Sequence, residues 1–120
     1  MESSFLSSLR GLPGVLGVSA ILKNRVPFLS TGTLSGQNEV LTKCCVIVEN
    51  PDLNTLSLGN VIYRVIQRDD SQIIALSTRV GRQLCIVVTI TAYGRLVTHF
   101  YWNPAEQSVK ILEQITKEVH

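Results

Sequence analysis

The opening third of the chain changes from a helix-like to a strand-like pattern. Apolar residues at helical spacing predict a first helix over about the first ten residues, ended before Pro13. Val15–Leu22 then reads as a strand, residues 23–25 as a tight turn, and residues 26–30 as a returning strand. Because proline lacks a backbone donor, Pro27 places this second strand at a sheet edge or gives it an irregular start.

Residues 35–49 carry the spacing of an amphipathic helix. Apolar side chains stand at i, i+3, i+4 and i+7, namely Leu41, Cys44, Cys45 and Val48. Residues 45–48 alone would also suit a buried strand, but the length of the whole segment favours a helix. Its last turns are apolar around most of their circumference, which predicts cover from more than one side and hence a partner.

Three strand patterns follow in quick succession after a polar linker at residues 51–59. Residues 60–67, 72–78 and 84–90 are separated by short turns, so they predict an antiparallel meander. The third is a nearly continuous apolar run and is the predicted central strand. Residues 93–101 have a weaker strand pattern and could extend the meander.

The end of the chain has the clearest helix signal. Asn103 suits the N-cap, Pro104 the first helical position and Glu106 the third, so residues 103–119 are predicted to be helical. The order becomes helix, two strands, helix, three strands, helix. This predicts a single α+β domain over residues 1–120, with a five-stranded antiparallel sheet covered by helices.

Composition excludes several classes of protein. With 45% apolar and 17% charged residues, the chain is not disordered. The net charge of +2 comes without a basic run, which argues against nucleic-acid binding. The three cysteines include an adjacent pair, so they form no disulfide framework and are predicted to be reduced core residues. The Ser-rich, acid-poor opening would also suit a mitochondrial presequence, and no apolar run reaches the ~20 residues of a membrane span.

Few residues of the sequence indicate a catalytic role. His99 lies alone between Thr98 and Phe100, where a structural role is the better interpretation. Asp69 and Asp70 are adjacent at a predicted turn, where turn formation explains them. No phosphate-binding loop, nucleophile elbow or metal-ligand spacing occurs. The chain is predicted to be no enzyme and to carry no cofactor or metal.

The hydrophobic patterns resemble those of the roadblock family. The Gly-Val-Leu-Gly-Val run at residues 14–18 and the Asn-Arg-Val-Pro-Phe run at residues 24–28 are similar to that family's opening hairpin. Arg25 stands where family members usually carry glycine. Three later runs are similar to the family's closing meander, at residues 63–67, 71–76 and 84–88.

The resemblance implies a scaffold protein of the small Ragulator type. Such a subunit would form a heterodimer with another roadblock-domain protein and help to anchor Rag-type small GTPases for TOR signalling. It would lie on the cytoplasmic face of the late endosome, lysosome or vacuole, held to the membrane only through a lipidated partner.

The resemblance also implies where the partner would bind. In the family the central helices pack together and a strand at the sheet edge pairs with its counterpart. Residues 60–67 carry no proline and one charge, so as an edge strand they would be poorly protected. The expected interface residues are Leu41, Cys44, Cys45, Val48, Val61, Ile62, Tyr63, Arg64, Val65 and Ile66.

Other classes of protein fit the same α+β plan. One alternative is a longin-like or profilin-like adaptor of a membrane-trafficking complex, and another is a subunit similar to a dynein light chain. A small enzyme or ligand carrier would need a deep pocket flanked by polar groups.

Overall fold

The fold is an antiparallel sheet of seven strands. The computed structural model describes Leu9, residues 11–78, 83–92 and 94–102, and Ile115. The strands are β1 (Val15–Leu22), β2 (Pro27–Ser30), β3 (Thr55–Leu58), β4 (Val61–Arg68), β5 (Gln72–Ser77), β6 (Leu84–Thr91) and β7 (Gly94–Tyr101). A 3-10 turn (Gly32–Leu34) and one α-helix, α1 (Asn38–Glu49), connect β2 to β3. The strand order is β2-β1-β7-β6-β5-β4-β3.

The prediction of a five-stranded sheet is wrong by two strands. β3 was taken for a linker because it has only four residues, of which Thr55 and Ser57 are polar. The signal that would have found it is the Gly-Asn pair at residues 59–60, which forms a two-residue hairpin turn with Gly59 at φ +61°. The other strand left out of the five is β7, a full strand of eight residues that pairs with β6 and extends the meander, as its weaker pattern allowed.

The last strand along the chain, β7, lies beside the first strand, β1, in the sheet. β7 pairs with β1 on one side, from Val15 opposite Phe100 to Leu22 opposite Gly94, and with β6 on the other. β6 is therefore the fourth of seven strands, which confirms its predicted central place. β2 ends the sheet, in agreement with the edge position that Pro27 indicated.

One hydrophobic cluster fills the space between α1 and the sheet. Leu41, Cys44 and Ile47 of α1 pack there against Ile86 and Val97, among others, and all five are buried. The helix is tied down at its end by Arg68 of β4. Its guanidinium donates to the Ile47 carbonyl at 2.7 Å and to the Leu53 carbonyl at 2.6 Å.

A second cluster lies on the opposite face of the sheet. Val87, Leu96 and Phe100 are buried there, together with Leu9 and Ile115. Both of these outer residues are helical. The predicted first helix and the predicted C-terminal helix at residues 103–119 otherwise lie outside the described residues.

Two bulges each leave one apolar residue without an opposite partner in the sheet. In β2 the register against β1 shifts so that Phe28 has no opposite residue, and in β4 the register against β5 does the same at Ile66. A bulge inserts an unpaired residue into one strand and bends that strand locally. Phe28 and Ile66 are both 55% exposed, the highest values among the large apolar residues described.

Candidate functional site

The helical part of the expected interface faces the protein's own sheet. Leu41, Cys44 and Cys45 are buried in the cluster beneath α1, and Val48 packs against the same cluster. The apolar circumference of α1 therefore already has cover within the domain. Because these residues are covered by the protein's own sheet, the apolar circumference of the helix is no longer evidence for a partner.

The strand part of the expected interface is not an edge. β4 pairs with β5 on one side and with β3 on the other, and the Val65 amide donates to the Asn54 carbonyl at 2.8 Å. Tyr63 is buried, and Val61 and Val65 are half-buried. Contact of the ten residues with a partner stays a prediction, and its premise of an unpaired edge at β4 is removed.

Three side chains of β4 nevertheless form an open surface. Ile62, Arg64 and Ile66 alternate with the inward-facing Tyr63 and Val65, so they project from the sheet face opposite α1. Among the described residues, the second cluster contains none from β3 or β4. This surface, the β4 face, therefore lies beside the covered part of the sheet and meets solvent.

A chain of polar groups crosses the sheet beneath α1. The imidazole of His99 lies 2.7 Å from the Tyr63 hydroxyl at Nε2 and 2.7 Å from the Thr33 hydroxyl at Nδ1. A neutral imidazole has one donor and one acceptor nitrogen, which two hydroxyls satisfy in either tautomer. Burial lowers the pKa of His99 to about 4, so the ring is neutral near pH 7. This is the structural role that the sequence indicated.

The 3-10 turn can approach these hydrogen-bonded side chains because β1 has a glycine at the point where the two meet. A Cβ on Gly17 would stand 2.7 Å from Thr33 Oγ1 and 2.8 Å from the Thr31 carbonyl oxygen. Contacts this short are forbidden for a real side chain. The absence of one at Gly17 lets Thr33 approach His99, and no sequence motif signalled the three-residue contact.

The cysteines have the environment of core residues. All three are free and buried, as predicted. Burial raises the pKa of the Cys44 thiol to about 12 and also raises the pKa of Cys85. Burial likewise raises the pKa of Cys45, against the opposing charges of Arg95 and Arg25. Thiols that stay protonated are poor nucleophiles and poor metal ligands.

Asp69 forms a turn, as its position indicated. Its carboxylate accepts the Ser71 amide at 2.8 Å, the Ser71 hydroxyl at 2.9 Å and the Gln72 amide at 2.8 Å. These hydrogen bonds hold the pKa of Asp69 below its usual value. The described part of the chain contains no group of three or more His, Cys, Asp or Glu side chains placed to hold a metal ion.

A groove lies between the first turns of α1 and the β3–β4 turn. Its lining residues are Gln37, Glu39, Val40, Lys43, Ser57 and Gly59. All except Val40 are exposed, so the groove contains no buried polar group that could work as an acid or base. Within the described ranges, no helix is both long and apolar enough to span a membrane.

No family model matches the chain, and neither does any curated protein. Solved structures do. LokiProfilin1 superposes with a TM-score of 0.74 at 15% identity, over 98% of this chain and 95% of the profilin. The LokiProfilin1 complex with rabbit actin gives a TM-score of 0.73 at 15% identity, over 98% and 93% of the two chains. The LokiProfilin2 complex with rabbit actin gives 0.73 at 12% identity, over 98% and 92%.

These similarities overturn the roadblock interpretation. Short hydrophobic runs with two or three turn residues are shared by many antiparallel α+β folds, so they did not separate one family from another. A roadblock partner, Rag-type GTPases and a Ragulator role in TOR signalling have no support from the solved structures, which are profilins. The lysosomal or vacuolar location followed from the same resemblance and loses its basis with it. Of the folds considered from sequence, the one this chain has is profilin-like.

Proposed function

We propose that this chain is a non-enzymatic binding module that docks actin through the β4 face. The observation that carries the proposal is the exposed pair Ile62 and Ile66 on a sheet whose solved neighbours include two profilins bound to rabbit actin. The trafficking role attached to the profilin-like alternative is not part of the proposal, because no residue supports it.

The β4 face has the physical character of a docking surface. Ile62 and Ile66 are 51% and 55% exposed, although large apolar side chains usually lie inside. Ile62 lies opposite Ser57 of β3, and its carbonyl accepts the Thr78 amide, so its backbone is held on both sides. Ile62 and Ile66 are β-branched and have few rotamers to lose. Few side-chain conformations would be lost when a partner binds there, so the entropic cost of binding would be low and more of the contact free energy would appear as affinity.

Arg64 gives the β4 face a positive charge. It stands between the two isoleucines along the strand and is exposed. An arginine flanked by apolar side chains is a common composition for the centre of a protein interface. A partner surface with apolar residues around a carboxylate would match it.

The proposal keeps the prediction that the chain is no enzyme. His99 is neutral, buried and engaged at both ring nitrogens, so it cannot shuttle protons to a substrate. The thiols are buried, and burial raises the pKa of each. These features support a role that consists of binding.

The test is a titration of the fluorescently labelled chain with monomeric rabbit actin, in which binding is followed by fluorescence anisotropy. We expect saturable binding by the wild-type chain. Ile66→Asp should weaken it by at least about tenfold, because burying an unpaired carboxylate costs more than 1.4 kcal/mol. Arg64→Glu should weaken it by reversing the charge at the centre of the surface.

Phe28→Asp is the matched control. Phe28 has the same exposed fraction as Ile66 and also stands at a bulge, but it lies on β2, near the other end of the sheet. This variant should bind actin as the wild-type chain does. Absence of binding by the wild-type chain, or equal losses in both Asp variants, would reject the β4 face as an actin site.

A further inference from the structure

The β1–β2 hairpin has an apolar surface that the actin proposal does not use. Six large apolar side chains are exposed in the described residues, at 37% to 55%. Two are on the β4 face and four are on this hairpin, namely Leu22, Val26, Phe28 and Leu29. We call these four residues the hairpin patch. In the strand order β2 and β4 are separated by four other strand positions, so the hairpin patch and the β4 face lie on different strands near opposite edges of the sheet.

The hairpin patch adjoins an open strand edge. β2 is the terminal strand, paired only with β1 among the described residues. Backbone groups along its outer side therefore have no strand partner, although Pro27 removes one donor. Phe28, the unpaired residue of the bulge, is exposed at this edge. An edge of this kind accepts an extended segment that adds hydrogen bonds and places alternate side chains against the patch.

The hairpin contains basic residues and no acidic ones. No Asp or Glu occurs between Gly11 and Asn38, whereas Lys23 and Arg25 stand exposed in the turn. Arg25 forms an ion pair with Glu49 of α1, which leaves Lys23 as the cation of the turn without an ion-pair partner in the described residues. A complementary segment would present a carboxylate beside its apolar side chains.

We propose that the hairpin patch binds an extended, acidic and apolar segment of a partner protein, added to the β2 edge. A second copy of this chain fits less well, because a symmetric contact would bring two copies of the unpaired Lys23 together, while Glu49 is already engaged by Arg25. A lipid bilayer also fits less well, because an open strand edge would carry unsatisfied backbone groups into hydrocarbon. With the β4 face at the other end of the sheet, the chain would bridge two partners.

The probe for this proposal is a short fluorescein-labelled peptide of alternating valine and glutamate. We expect it to bind the whole chain and to shift the backbone amide resonances of Phe28, Leu29 and Ser30. The same peptide with lysine in place of glutamate should bind at least about tenfold more weakly, since its charge opposes Lys23. Lys23→Glu should reverse the preference between the two peptides.

Two variants separate this site from the actin site. Phe28→Asp should abolish peptide binding and leave actin binding intact, and Ile66→Asp should do the opposite. Both residues are exposed, and circular dichroism checks that each variant is folded. Four outcomes would overturn the proposal: no peptide binding, equal binding of both peptides, a dimer that Phe28→Asp disperses, or binding to phosphatidylserine vesicles in preference to the peptide.

Discussion

At the scale of single residues, His99 shows how a titratable group can serve packing alone. Its imidazole forms hydrogen bonds to Tyr63 of β4 and to Thr33 of the 3-10 turn, and both hydrogen bonds are 2.7 Å long. Neither partner carries a charge that would favour the protonated ring. Burial therefore makes the neutral form part of the folded state.

The depressed pKa of His99 predicts a pH dependence of stability. Its value of about 4 in the folded chain is below the ordinary 6.5, so the unfolded chain takes up the proton first as pH falls. The stability from neutral His99 is complete above pH 6.5 and is lost as pH falls towards 4, by about 3 kcal/mol over the window.

Urea unfolding at several pH values, for the wild-type chain and His99→Gln, measures this. Carboxylates also titrate at the acidic end, but they contribute equally to both chains and cancel in the difference. The advantage of the wild-type chain over the variant should shrink as pH falls below 6.5. A difference that stays constant with pH would contradict the neutral, buried ring.

At the scale of elements, much of the local structure was predictable from sequence, and the pairing was not. β1 has its predicted bounds because its apolar run ends sharply at the turn of residues 23–25. The central place of β6 followed from an uninterrupted apolar run. The pairing of β7 with β1 was not predictable, because it joins residues that are distant in sequence. The exposed bulges at Phe28 and Ile66 likewise depend on register, which no local pattern encodes.

β3 is the strand that the sequence analysis assigned to a linker, and its contribution to stability is measurable. Leu56 is buried against the cluster beneath α1. Leu56→Ala should lower the free energy of unfolding by about 2 to 4 kcal/mol, the cost of deleting a core side chain. Thr55→Ala, at an exposed position of the same strand, should change it by less than about 0.5 kcal/mol. Equal effects in urea unfolding would mean that residues 55–58 form a linker after all.

Arg68 connects α1 to β4, and its loss should loosen both. Arg68→Ala leaves the Ile47 and Leu53 carbonyls without their charged donor, which should cost about 1 to 3 kcal/mol. Arg68→Lys should recover only part, because an ammonium lacks the planar fork that reaches two carbonyls. Arg64→Ala on the same strand is the control, since Arg64 is exposed. Thermal unfolding that ranks Arg64→Ala as the more damaging change would refute the connection.

At the scale of the whole molecule, the two ends of the sheet differ in what they offer. One presents Ile62, Arg64 and Ile66 on a doubly paired strand, and the other presents the hairpin patch on an open edge. Both faces of the strands between them are covered, by α1 and by the cluster containing Leu9 and Ile115. Exposed large apolar residues of the described chain are thus concentrated on β4 and on the β1–β2 hairpin, which are the places where the two proposed partners would dock.

Hydrogen–deuterium exchange of the wild-type chain, with and without monomeric rabbit actin, tests the central claim most directly. Amides of a paired strand exchange through local opening, and a partner bound to that strand suppresses the opening and slows their exchange. We expect actin to slow exchange in peptides covering Val61–Arg68 and to leave Pro27–Ser30 unchanged. Protection confined to the β1–β2 hairpin, or no protection at saturating actin, would contradict it.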